Sequence, residues 1–360
     1  MWTKTLLNNY LEENKERNKR GIFTKNHVLS VSGDFGIVNQ IELLGRSFAG
    51  KSVLDYHVVR TGNIVYTKSP LKEYPYGIVK VNGGVDGIVS TLYAVYKVKE
   101  TANGKFVEYY FGLPNRTNRY FKPIVRIGAK HDMKIGNDEV LANYVVFPCV
   151  DEQKRISDFI CLLDERIATQ IKIIEKLESL IKGLCQTLFN FEEYSTYFLG
   201  DICSITTGKL DANAMVENGK YPFFTCAEEV FSIDEYAFDA EALLISGNGA
   251  NLGYIHYYNG KFNAYQRTYV LDKFAIDINY VRLYLETFLK YRIEQEKNTG
   301  NTPYIVLGTL SKMKIKVPNT ITQQKIIQSI ATLKEKFSIE KQSLKKYEEQ
   351  KRYLLSNLFI

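Results

Sequence analysis

Two stretches of this chain carry apolar residues in strict four-three alternation. The first runs Ile160, Leu163, Ile167, Ile174, Leu177, Ile181, Leu184 and Leu188; the second runs Ile330, Leu333, Phe337, Leu344, Tyr347, Leu354 and Leu358. That period is the a/d seam of a coiled coil, narrower than the apolar face of a globular helix. Each stretch is therefore predicted to be one long helix. The two are copies: Val145 to Phe189 lies without a gap on Ile315 to Phe359, at a constant offset of 170 residues. Pro148 falls on Pro318, Gln153 on Gln323, Ile156 on Ile326, Glu165 on Glu335, Lys176 on Lys346 and Phe189 on Phe359. A proline suits the entry to a helix. Both copies place a polar residue at the same seam position, Gln170 and Glu340. Such a residue costs stability and fixes register, so the two helices are expected to pair with each other.

The rest falls into two blocks rich in glycine, tyrosine, asparagine and β-branched runs, such as Asn63 to Tyr66 and Ala242 to Ile245. Turn signals follow these runs, and helical stretches are expected at Thr3 to Arg20 and Ile278 to Lys297. Each block reads as a mixed α/β (α+β) domain. The predicted order is a domain over 1–147, a helix over 148–190, a domain over 191–317 and a helix over 318–360.

Composition narrows the picture only modestly. The 360 residues are 45% hydrophobic, enough for two real cores. A formal net charge of +7 fits a nucleic-acid binder, since each phosphate neutralised by Lys or Arg releases counterions. Many unrelated proteins are equally basic. The five cysteines (Cys149, Cys161, Cys185, Cys203, Cys226) are scattered without a C-x-x-C pair, which argues against a disulfide framework or zinc site and for plain thiols. No run of eighteen apolar residues and no signal peptide is seen, so a cytoplasmic location is expected.

Catalytic tools are hard to find. Ser246-Gly-Asn-Gly-Ala250 follows an apolar strand, but Leu252 to Tyr258 reads as another strand, leaving no helix N-terminus for a phosphate. His27, His57, His131 and His256 stand outside any metal spacing. Glu152-Gln-Lys154 has the E-x-K form of metal-dependent nucleases, yet it opens a coiled-coil helix, where acidic residues favour the N-terminus. The matching positions of the second copy are Thr322-Gln-Gln324, and no Asn-Pro-Pro-aromatic or Asp-Pro-Pro-Tyr tetrapeptide occurs. The chain is expected to have no catalytic residues, no metal site and no cofactor of its own.

The repeated P-x-x-x-x-Q-x-x-I element, followed by long helices ending in Leu-Phe, resembles the specificity subunits of Type I restriction–modification systems. The second block adds Tyr221-Pro-Phe-Phe-Thr225, Leu243 to Ala250 and Gly260 to Tyr269; the first adds Gly62 to Pro70 and Gly87 to Tyr93. These are similar to that family's target-recognition domains, and the resemblance spans essentially the whole chain. It implies that each domain reads one half of a split, asymmetric DNA target. It also implies that an antiparallel helix pair sets the half-site spacing and carries two modification subunits. S-adenosylmethionine, and ATP with Mg, are then expected in the modification and restriction partner subunits. A helix from Ile156 to Leu188 would span roughly 50 Å, on the order of 15 base pairs. Alternatives are the specificity subunit of a bipartite Type II system, a protein-only coiled-coil scaffold, and, least supported, a stand-alone methyltransferase.

Base edges are read by Arg, Lys, Asn, Gln, Ser and Thr, and by apolar contact with thymine methyls. In the second block the candidates are Tyr265, Gln266 and Arg267 beside Ser246, Asn248 and Asn251, followed by Lys209, Thr225, Asn301 and Thr302. Gln suits adenine and Arg suits guanine. In the first block Lys68 and Ser69 take the corresponding place, with Lys72, Tyr76, Lys80 and Ser90.

Overall fold

Short β-branched and aromatic runs, punctuated by glycine and asparagine turns, build both blocks as sheets, while the four-three segments become uninterrupted helices. The computed structural model describes residues 1–50, 52–71, 73–127, 133–296 and 304–359. It divides into two compact units, Met1–Gln170 with Ser343–Ile360, and Ile171–Gln342.

The first unit begins with β1 (Thr3–Leu6), β2 (Leu11–Glu13), β3 (Leu29–Ser32), β4 (Gly36–Asn39) and α1 (Gln40–Leu44). It continues through β5 (His57–Val59), β6 (Ile64–Thr67), β7 (Val79–Val81), β8 (Gly87–Val89) and β9 (Tyr93–Val98). Then come α2 (Gly104–Tyr110), α3 (Pro114–Phe121), β10 (Arg126–Ile127), β11 (Met133–Lys134) and β12 (Tyr144–Phe147). The main sheet runs β2-β9-β6-β7, all antiparallel, while β1 pairs with β12 and β5 with β8. Its aromatic core stacks Tyr66 on Phe121 at 4.4 Å and sets Phe106 edge-on to Phe147 at 5.0 Å.

The helix expected over Thr3 to Arg20 is not formed. Thr3 to Glu13 is strand, a single 3-10 turn (Leu7–Asn9) and strand, and residues 14–20 are irregular, with one bridge from Arg17 to His57. Its Lys, Glu, Leu and Arg residues favour helix locally, but Thr3–Leu6 ladders onto Tyr144–Phe147, and Leu11 and Glu13 pair with Val98 and Tyr96. Long-range pairing overrides the local preference.

The next element, α4 (Val150–Leu188), contributes to both units. Its start explains the repeated Pro-x4-Gln spacing. The buried Gln153 amide donates to the Pro148 carbonyl at 2.9 Å and to the Thr101 carbonyl at 3.1 Å, and its Oε1 accepts from the Asn103 N–H at 2.9 Å. Gln153 thus ties the helix entry to the loop before α2, and a buried amide left with fewer partners would be costly.

The second unit contains β13 (Ser195–Phe198), α5 (Leu199–Ile202), β14 (Ser204–Thr207), β15 (Tyr221–Phe224) and β16 (Phe231–Ile233). It continues through β17 (Phe238–Ser246), β18 (Ile255–Ala264), β19 (Thr268–Asp272) and α6 (Ile278–Gln295). It closes with α7 (Leu307–Ser311), β20 (Lys314–Val317) and α8 (Thr320–Asn357), the latter shared with the first unit. The sheet order is β14-β19-β17-β18-β15-β16, and β13 pairs with β20 as β1 does with β12. The Gln323 amide donates to the Pro318 carbonyl at 2.9 Å, repeating the Gln153 anchor. The strand expected from Leu252 starts three residues later, because Leu252 and Gly253 belong to the preceding turn, with Gly253 at φ +80°.

Within each unit the long helices pair antiparallel. In the first, late α8 lies on early α4: Lys351 Nζ is 2.6 Å from Asp164 Oδ1, Arg166 sits over the Tyr347 ring, and Leu355 and Phe359 share the core with Ile156 and Ile160. In the second, Ile326 and Ile330 of early α8 share a core with Phe189, while Cys185 and Leu188 of late α4 pack against it. Phe359 lies against Phe106 and Tyr110, and its carbonyl accepts from Arg116 at 3.1 Å. Phe189, the equivalent residue of the first copy, packs against Tyr280, Tyr284 and Phe288. Replacing Phe359 by alanine is expected to destabilise the chain by about 3–5 kcal/mol, read from urea unfolding followed by circular dichroism.

His57 in β5 is fully buried and its Nδ1 has no partner among the described residues. Burial, helped by the charge of Arg17, lowers its pKa from the ordinary 6.5 to about 4. The folded chain thus keeps the imidazole neutral where the unfolded chain takes up a proton. Stability is full above pH 6.5 and is lost progressively as pH falls toward 4. A His57→Leu variant should show a shallower fall of the urea midpoint across that window.

Candidate nucleic-acid interface

At one end of the second sheet, the segments that leave β14, β15 and β17 meet the turn Tyr265 to Thr268 between β18 and β19. Backbone bonds hold them together. The turn closes on itself through the Thr268 N–H to the Tyr265 carbonyl at 2.8 Å. Tyr265 N–H donates to the Phe224 carbonyl, Gln266 N–H to the Leu210 carbonyl, and Gly247 N–H to the Arg267 carbonyl, each at 2.9 Å. Ile305 N–H then donates to the Gly247 carbonyl at 2.8 Å, and Asn251 Nδ2 to the Cys226 carbonyl at 3.2 Å. Two glycines make this approach possible. A Cβ at position 208 would lie 1.9 Å from the Ala264 carbonyl oxygen, and one at 247 would lie 2.4 Å from that of Arg267.

The turn is fixed while the side chains at its tip stay exposed. Gln266 and Arg267 both face solvent. Gln266 Nε2 donates to Asp211 Oδ1 at 2.6 Å. A carboxylate accepts and does not donate, so the amide nitrogen faces Asp211, leaving Oε1 and one N–H for a ligand. That remaining pair matches the N6 donor and N7 acceptor of adenine. Arg267 and the exposed Lys209 form no ion pair among the described residues, so their charges stay available for guanine or phosphate.

The other expected residues of this block take supporting positions. Thr225 and Ser246 are buried; the Thr225 hydroxyl accepts from the Ala227 N–H at 3.2 Å, and the Ser246 hydroxyl has no partner among the described residues. Tyr265 and Asn251 are half-buried, and Asn248 bridges to Tyr304. Asn301 and Thr302 lie outside the described residues. Sequence reasoning passed over Asp211, Leu210 and Cys226, which reach the turn only through the fold.

In the first unit, Thr67 of β6 pairs with Tyr93 of β9, which brings Lys68, Ser69 and Ser90 to the same end of the sheet. Lys68 turns inward: its ammonium donates to the Ile135 carbonyl at 2.8 Å and to Asn137 Oδ1 at 2.6 Å. Burial lowers its pKa, an effect opposed by Glu13, Glu139 and Asp138. Ser69 is exposed and Ser90 half-buried. Tyr76 packs against the core, and Lys80 borders a cavity of about 480 Å³ with its ammonium 3.5 Å from Glu108. Lys72 lies outside the described residues.

Among the described residues no cluster of His, Cys, Asp or Glu could hold a metal ion, and no helix is long and apolar enough to cross a membrane. Residues 191–349 match the family model of the Type I restriction modification DNA specificity domain. Over 141 residues the chain is 40% identical to the Type I restriction enzyme EcoDI specificity subunit of Escherichia coli, covering 39% of this chain and 31% of that protein. The match thus spans less than a third of that relative's length. It is 27% identical over 156 residues to a putative type I specificity subunit N-terminus of Mycoplasma pneumoniae, covering 40% of this chain and 78% of that one. The fold is shared with the S subunit of a Type-I restriction-modification system from M. genitalium, at a TM-score of 0.65 and 17% identity over 100% of this chain and 96% of that one. It is also shared with a chain from a structure of type I R-M complex assembly and conformational transition, at 0.59 and 15% over 99% and 96%.

Gly247→Ala tests whether the turn must be held in place. The added methyl would force the Arg267 backbone aside at a cost of about 1–3 kcal/mol. The variant should keep its circular dichroism spectrum yet bind specific duplex DNA about tenfold more weakly in a fluorescence titration.

Proposed function

We propose that this chain, whose residues 191–349 match the family model of the Type I restriction modification DNA specificity domain, is the DNA sequence-recognition subunit of a Type I restriction–modification complex. Each unit reads one half of a bipartite, asymmetric target. The observation that carries this reading is the turn at Gln266 and Arg267, whose backbone is pinned by neighbouring segments while its two base-competent side chains remain exposed. A reader of this kind gains specificity from fixed geometry, since a misplaced bidentate donor–acceptor pair loses its discrimination.

The chain acts by binding, and the chemistry belongs to its partners. Two methyltransferase subunits supply S-adenosylmethionine and modify a flipped base; restriction subunits supply ATP-driven translocation with Mg and cleavage. The outer faces of α4 and α8 are the surfaces left for those partners, because the seam faces are used in pairing. The working location is the cytoplasm, with the DNA.

The test uses the chain together with its modification subunits. Gln266→Ala and Arg267→Ala should each cost about 1–3 kcal/mol of discrimination and relax one position of a single half-site. Methylation sequencing in a host carrying the complete system reads that change, with the other half-site unaltered. Equal weakening on all sequences, with no altered position, would count against base reading by this turn.

A further inference from the structure

The strand-pairing schemes of the two units coincide around one turn. In the second unit β19 lies between β14 and β17; in the first, β9 lies between β2 and β6, antiparallel to both. The first residue of β19, Thr268, pairs with the last residue of β17, Ser246. Likewise the first residue of β9, Tyr93, pairs with the last residue of β6, Thr67. The segment that flanks the turn agrees as well. The same two segments meet there, though through different bonds: the Ile305 N–H donates to the Gly247 carbonyl just after β17, whereas the Lys68 side-chain ammonium, just after β6, donates to the carbonyl of Ile135, at the repeat offset of 170 from Ile305. The counterpart of Tyr265 to Thr268 is therefore Ser90 to Tyr93. It closes through the same bond, Tyr93 N–H to the Ser90 carbonyl at 3.0 Å, and Ser90 Oγ also accepts from the Leu92 N–H at 3.4 Å. One difference lies upstream: β18 pairs back onto β17, whereas β8 pairs with β5.

The tips differ in chemistry. Where the second unit presents Gln266 and Arg267, the first presents Thr91 and Leu92, both exposed, Leu92 at 66%. A single exposed leucine is common and by itself says nothing. Its position is what counts, since it occupies the place of Arg267 on an equivalent, internally bonded turn. Leucine has no donor or acceptor, and the one apolar group that a base pair displays in the major groove is the thymine methyl.

We infer that Ser90 to Tyr93 is the base-reading turn of the first unit, and that Leu92 recognises a thymine by packing on its methyl group. This rests on the reading of the chain as a DNA-recognition subunit. The first half-site then contains at least one thymine read without a hydrogen bond from the Leu92 side chain.

The experiment uses the chain in complex with its modification subunits and a labelled duplex carrying the target mapped by methylation sequencing. Each thymine of the first half-site is replaced singly by uracil, which removes only the methyl. One replacement should weaken wild-type binding roughly fourfold, the loss expected for one buried methyl. Leu92→Ala should bind the thymine duplex about that much more weakly and should no longer distinguish thymine from uracil at that position. Leu92 is exposed, so its truncation leaves the core intact, and circular dichroism checks this. A first half-site without thymine, no response to any uracil, or a Leu92→Ala variant that responds like the wild type would overturn the inference. Gln266→Ala and Arg267→Ala, run in parallel, separate the two failures. If they alter the second half-site while Leu92→Ala alters nothing, only the present inference falls; if they also alter nothing, the recognition reading falls with it.

Discussion

The burial of two phenylalanines at the ends of the long helices is the constraint from which the rest follows. Phe189 completes the aromatic cluster of the second unit, and Phe359, its copy, completes that of the first. Each helix therefore starts on one unit and ends in the core of the other, which is possible only if the helices run antiparallel within each unit. The four-three seam follows from this demand. A helix that must lie along a single partner helix needs only a narrow apolar stripe, and the remaining face is free to stay polar.

The other repeated residues serve the same frame. Gln153 and Gln323 each close onto the carbonyl of the proline five residues earlier, and the strand pairs β1–β12 and β13–β20 lead into these entries. The frame is thus fixed by backbone ladders, one buried amide per copy and one aromatic plug per copy. Nothing in it depends on the residues at the sheet ends. That independence allows one sheet to have four strands and the other six while the helical entries stay the same.

The elements that the sequence revealed are those whose cause is local and periodic. The seam of α4 and α8, the runs at Ile64 and Leu243 and the helix at Ile278 all show their period directly in the residues. Thr3 to Arg20 misled because its composition favours helix while its partners, Tyr144–Phe147 and Tyr96–Val98, lie far along the chain. The same holds for side chains at the candidate interface. Lys68 looks like a free basic residue until Ile135, 67 positions away, is brought against it. Asp211 has no signature at all, and its bond to Gln266 spans 55 positions. Motif spacing locates the turn, but only tertiary proximity tells which of its groups are engaged and which are free.

A reader of base edges has two opposing requirements. Its reach must be fixed, because disorder at the tip would have to be lost on binding, and its side chains must be replaceable, because different targets demand different donor and acceptor sets. The turn before β19 meets both. Its placement comes from main-chain bonds, which are indifferent to side-chain identity, and from Gly208 and Gly247, which admit a neighbouring backbone. Among the described residues, the tip side chains enter that network only through the Gln266–Asp211 bond. Gln-Arg can therefore stand at one tip and Thr-Leu at the other while the strand that follows, β19 or β9, stays paired antiparallel on both sides, so a change of tip residues need not disturb the fold that presents them.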